Sequence, residues 1–111
     1  MNIKDRLKER EQHKLLTFFS MDEVEDLNSI IPFTATTIEY NYNTYWSDNN
    51  HPGVDKVITA KVKEGTTWLD LWKVIDKMVK KSKDYHHIFI EEVKLSKSYG
   101  YDKTLIVFMG S

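Results

Sequence analysis

The chain has 111 residues, near the common size of one domain, and its 41% hydrophobic and 13% aromatic content supplies the apolar area for a single core. With 16 Lys and Arg against 17 Asp and Glu the formal net charge is -1, so no global field marks a polyanionic partner. The absence of Cys excludes disulfides, thiolate catalysis and Cys-ligated zinc, and Arg6 and Arg10 alone offer the planar fork used for bidentate phosphate or guanine recognition.

Residues 1–19 are charged throughout and lack the apolar run of a signal peptide, and no stretch approaches membrane-spanning length, so a cytoplasmic protein is expected. Lys, Asn, Ile, Asp and Tyr are frequent while Ala occurs only at Ala35 and Ala60, the bias of an AT-rich genome such as a low-GC bacterium or its phage.

Residues 2–19 are mostly good helix formers, but Ile3, Leu7, Leu15, Phe18 and Phe19 make an incomplete apolar stripe. The pattern predicts a helical arm, loosely attached over 1–19, whose Ile3 and Leu7 either fray into solvent or dock on another protein. Ser20-Met21-Asp22-Glu23 has capping-box spacing, and Met21, Val24, Leu27 and Ile30 or Ile31 follow at helical intervals up to Pro32, which predicts a short amphipathic helix over 21–29.

Residues 33–42 are rich in Thr, Ile and Tyr, with Thr34, Thr36, Ile38, Tyr40 and Tyr42 on one strand face. Residues 57–63 alternate Ile58, Ala60 and Val62 against Thr59, Lys61 and Lys63, so the two segments form a hairpin whose long loop, 43–55, is dense in turn residues. Thr67 followed by Asp70 again has capping spacing. Beyond it Trp68, Leu71, Trp72, Ile75, Met78 and Val79 build an apolar helix face, with Lys73, Asp76, Lys77, Lys80 and Lys81 opposite. Residues 87–95 read as a third strand, 98–102 as a turn, and the continuously apolar 105–109 as a fourth, central strand.

Together these elements predict an α+β domain with a four-stranded antiparallel sheet in the order 1-2-4-3, crossed by the long helix between its hairpins and preceded by one or two N-terminal helices. The long loop and the 98–102 turn should lie at opposite ends of that sheet.

The stretch 40–51 carries the strongest binding signature. Tyr42, Tyr45 and Trp46 give large contact area at low entropic cost, while Asn49, His51 and neighbouring amides add adaptable hydrogen bonds. The competing reading is structural: Tyr40 and Tyr42 pair across the hairpin and Trp46 folds onto the core. Lys73, Lys77, Lys80, Lys81 and Lys83 with Tyr85 form a basic helix side that could attract RNA or nucleotides, although a solvated helix face explains it as well. His87 and Glu91, two alternations apart, are a His–carboxylate pair open to acid–base chemistry, set against solvated strand residues. No third ligand at fixed spacing supports a metal, and no phosphate loop, nucleophile elbow or zincin helix is present to imply a cofactor.

The leading expectation is a non-catalytic protein-interaction module, of the kind a phage or mobile element uses to modulate a host protein, contacting its partner through the 40–51 loop or an exposed sheet edge. The rival is an RNA or nucleotide binder using the lysine face. A third reading is a small enzyme using His87 and Glu91. Self-association is compatible with so small a core.

Overall fold

The computed structural model describes residues 3–48, 52–96 and 103–111. Helix α1 (Ile3–Gln12) begins the chain and stops well before the expected residue 19, because Lys14 takes a left-handed φ of 52° and breaks the helical path. Phe18 and Phe19, expected at the end of that helix, instead form the short strand β1 (Phe18–Phe19). The other strands are β2 (Thr37–Asn43), β3 (Asp55–Lys61), β4 (Phe89–Leu95) and β5 (Thr104–Gly110). The five-residue helix α2 (Thr44–Asp48) follows β2, and the long helix α3 (Trp68–Ser82) connects β3 to β4.

The sheet corrects the expected one. It has five strands in the order β1-β4-β5-β2-β3 and is mixed, with β2 parallel to β5 and β1 parallel to β4. Both hairpins are antiparallel as read, and β5 is central as its unbroken apolar run requires. Its second neighbour, however, is β2 and not β3. The reason lies in composition: β3 carries Asp55, Lys56 and Lys61 and suits a solvent edge, whereas β2 presents Ile38 and Tyr40, buried next to Leu105 and Val107 of β5. Thr37 and Thr104 seal the start of this parallel pair with a hydroxyl–hydroxyl hydrogen bond of 2.8 Å.

Strand alternation puts Ile38, Tyr40, Leu105, Val107, Ile90, Val93 and Phe19 on one sheet face, against Trp68, Leu71, Trp72, Ile75, Met78 and Val79 of α3. A register shift between Ile90 and Glu92 makes Glu91 a bulge residue, which lets Ile90 and Val93 both point inward. The bulge also takes Glu91 out of the alternation that would align it with His87. The other sheet face stays exposed at Phe89 and Phe108.

Helix α3 forms as its sequence dictates. Thr67 Oγ1 accepts the Asp70 N–H at 3.1 Å, and Lys83, at φ 61°, closes the helix with its N–H on the Val79 and Lys80 carbonyls. One residue departs from the expected pattern: Asp76, placed on the solvent side, is 1% exposed. It accepts the Thr17 N–H and hydroxyl at 2.7 and 2.6 Å and pairs with Lys80 at 2.9 Å, while Trp72 Nε1 donates to the same Thr17 hydroxyl at 3.0 Å.

The helix expected over 21–29 does not form. The Ser20 N–H is bonded to the Ile90 carbonyl, so it is not available to the Glu23 carboxylate as a capping box requires, and the segment runs as turns. Met21, Val24, Leu27 and Ile31 are nevertheless buried, which satisfies the apolar spacing without helical hydrogen bonds. Their carbonyls go elsewhere. Arg6, 1% exposed, donates to the carbonyls of Phe19 (2.8 Å), Met21 (2.9 Å) and Val24, and burial lowers its pKa against the opposing pull of Asp22 and Glu23. The carbonyls of Leu27 and Ser29 accept the N–H groups of Leu69 and Trp68, donors that the first turn of α3 leaves free. Helix α1 is therefore tied down through Arg6, and through Arg10 on the Leu16 and Thr17 carbonyls, while Ile3 and Leu7 remain exposed.

Candidate functional site

The parallel pairing of β2 with β5 ends at Tyr40 and Val107. Beyond that point a cleft of about 540 Å³ lies at this end of the sheet, bordered by the last residues of both strands, by Trp46 of α2, and by Asp84 and His87 of the α3–β4 connection. The Asn43–Asp55 end of the first hairpin is thus built into the cleft. Leu95 and Thr104, which flank the 98–102 turn, lie beside the opposite end of β2 at Thr37 and Ile38, while the turn itself falls outside the described residues.

The aromatic wall follows from period-2 alternation. Tyr40 and Tyr42 share a strand face and stack on each other at 5.8 Å and 25°, along the strand and not across the hairpin. Tyr40 is buried beside Asp84 and Ser82, and desolvation, reinforced by the Asp84 charge, pushes its phenol up to about 12. It stays a neutral hydroxyl at physiological pH.

The hairpin end is fixed by short-range polar bonds. Asn43 Oδ1 accepts the Tyr45 N–H at 2.8 Å, and its amide nitrogen donates to Asp55 at 2.9 Å. Thr44, buried, exchanges bonds with Val54 through its backbone N–H (2.9 Å) and its hydroxyl (2.8 Å). Gly53 approaches Asn43 and Tyr45 so closely that no Cβ fits. These bonds present Tyr45 and Trp46 at 40% and 44% exposure, their rings edge-on at 5.0 Å. Trp46 does not fold onto the core but leans on His86 and His87, each at 5.4 Å.

His87 is oriented from below. Asp84, 2% exposed, accepts the His86 N–H through Oδ1 at 3.0 Å and meets His87 Nδ1 through Oδ2 at 2.8 Å, and its own N–H donates to the Ser82 hydroxyl. The carboxylate partner of His87 is thus Asp84, while Glu91 lies against Gly110. The described cleft lining holds the His87–Asp84 imidazole–carboxylate pair and two phenols, Tyr40 and Tyr42, but no Ser, Thr or Lys to serve as nucleophile. No group of three or more metal-ligating side chains occurs among the described residues.

Of the residues singled out for partner binding, Tyr42, Tyr45 and Trp46 come together here, and Asn49 and His51 lie outside the described residues. The lysines do not behave as one group. Lys73 is half-buried, Lys80 is held by Asp76 and the Lys14 carbonyl, and Lys83 closes α3. Lys77 and Lys81 flank β3, and Tyr85 is exposed beyond the helix. Asp84 was not legible as a site residue. Its only signal is position, just past a helix end, where a carboxylate closes a local turn onto the next N–H groups.

The fold is thus a small α+β domain with a mixed five-stranded sheet and, among the described residues, three helices. None of these helices is long and apolar enough to cross a membrane. Comparison with protein families, curated proteins and solved structures found no match.

Proposed function

We propose that this chain is a non-catalytic protein-interaction module whose contact surface is the aromatic end of the sheet, formed by Tyr42, Tyr45 and Trp46. The observation that carries the reading is the presentation of Tyr45 and Trp46. Two large rings stand exposed, braced against each other and against His86 and His87, on a turn whose backbone is bonded at both ends. Rigid, exposed aromatics of this kind lose little entropy on binding and form the anchors of protein interfaces. Asn41, Asn43 and Asp55 supply a polar rim.

The AT-rich composition directs the search for a partner to the cytoplasm of low-GC bacteria, as for a phage-encoded modulator of a host protein. In a pull-down from such a lysate, the wild-type chain retains a specific protein. Tyr45→Ala/Trp46→Ala abolishes that retention while circular dichroism keeps the folded signature and unfolding stays cooperative, because neither ring belongs to the buried core. Undiminished retention by the double variant would remove this surface from the interface.

A further inference from the structure

Among the described residues, the edge strand β3 is bonded on one side only. Its register with β2 fixes which backbone groups remain available. The Val62 N–H bonds the Thr36 carbonyl and the Thr44 N–H bonds the Val54 carbonyl, so in this antiparallel ladder Lys56, Ile58 and Ala60 turn their amides toward β2. Asp55, Val57, Thr59 and Lys61 turn theirs outward. Seven residues of edge are thus open, without bulge or proline.

Beside this edge, on the helix side, runs a groove of about 260 Å³ with an apolar floor of Ile58, Ala60, Val74 and Met78. Lys77 and Lys81 line its rim, and Lys56 extends the basic border along the same strand face as Ile58. Among the described side chains none of these three lysines has an ion-pair partner within 4 Å, whereas Lys80 pairs with Asp76 and Lys94 with Glu92. The rim also bears on self-pairing. Antiparallel addition of a second copy at this edge leaves both α3 helices on one face, with Lys77 and Lys81 of each facing those of the other. An acidic segment meets the same charges favourably.

We propose that the β3 edge and its α3 flank bind an extended peptide segment of a partner protein as a sixth strand, one whose alternate side chains are β-branched and whose flanks are acidic. The ladder to Val57 and Thr59 supplies affinity. Apolar side chains on the groove floor set the register, and the lysine rim selects the charge. The proposal rests on reading the chain as a protein-binding module, but it uses a surface separate from Trp46.

The probe is fluorescein-labelled Asp-Glu-Val-Thr-Val-Thr-Val-Glu-Asp, titrated with the full chain and followed by anisotropy. Saturable binding is expected, and raising salt from about 50 to about 500 mM weakens it. Lys77→Glu/Lys81→Glu and Thr59→Pro each weaken it about tenfold or more. Thr59→Pro removes an outward N–H that β2 does not use, and proline is tolerated at such an edge position. The lysine double variant alters only exposed side chains and decides the question alone should Thr59→Pro not fold. Trp46→Ala leaves peptide binding unchanged, so loss of partner capture with intact peptide binding overturns the aromatic surface and not this edge, and the converse result does the opposite. The proposal is overturned by absence of saturable binding, by equal affinity for a peptide with Lys at every acidic position, or by wild-type affinity in both edge variants. It is also overturned if the chain sediments as a dimer that Thr59→Pro dissociates, or if an oligouridine probe binds through Lys77 and Lys81 and the peptide does not.

Discussion

Arg6 shows how one side chain can decide the conformation of a segment distant in sequence. Its guanidinium gathers carbonyls of Phe19, Met21 and Val24, and these groups, once bonded to Arg6, have no need of a helix. Arg6→Ala strips the Phe19 and Val24 carbonyls of this donor, while Met21 keeps the Val24 N–H, and should lower stability by about 3 kcal/mol, read from urea unfolding. Arg6→Lys should recover only part of that loss, since an ammonium lacks the planar fork. Tyr40 makes a pH-dependent contribution. Its phenol is raised to about 12 in the folded chain, so the neutral form is favoured there; the stabilisation is complete below the ordinary tyrosine value near 10 and is lost as pH climbs from about 10 to about 12. The stability difference between wild type and Tyr40→Phe should shrink by about 2 kcal/mol across that window in denaturant titrations at fixed pH steps.

Helix α3 was legible because independent signals coincide in it: a 3.6-residue apolar period, a Thr67 cap and lysines toward its end. Thr67→Ala should cost about 1 kcal/mol. Lys83→Gly should stabilise by about 0.5 kcal/mol by relieving a left-handed φ of 61°, both shifts being measurable as thermal midpoints. The segment 21–29 shows the opposite case. Its apolar residues recur at helical spacing, but spacing records only which side chains are buried and not where the backbone hydrogen bonds go. Phe18 and Phe19 were misread for a related reason: two residues carry no measurable period, and only the exposed edge of β4 makes them a strand. In the site, Tyr42, Tyr45 and Trp46 were visible as residue types suited to contact. The Asp84–His87 pair was not, because it depends on how the chain leaves α3.

At the level of the whole molecule, the error in strand order came from preferring antiparallel neighbours throughout. Local pairing rules favour that choice, but the charges on β3 make it a better margin than a middle. Hydrogen exchange should reflect the corrected order. Amides of β5 shared with β4 and β2 should exchange last, and the outward amides of Val57 and Thr59 should exchange early despite lying in a regular strand.

The junction of Thr37 with Thr104 has a consequence for biogenesis. A ribosome delivers the central ribbon of the sheet only after every other strand has emerged, so the first hairpin and the long helix wait with their apolar sides unmatched. Closure of the structure must then follow translation of residues 104–110, and a nascent chain stalled before that point should be protease-sensitive along its whole length.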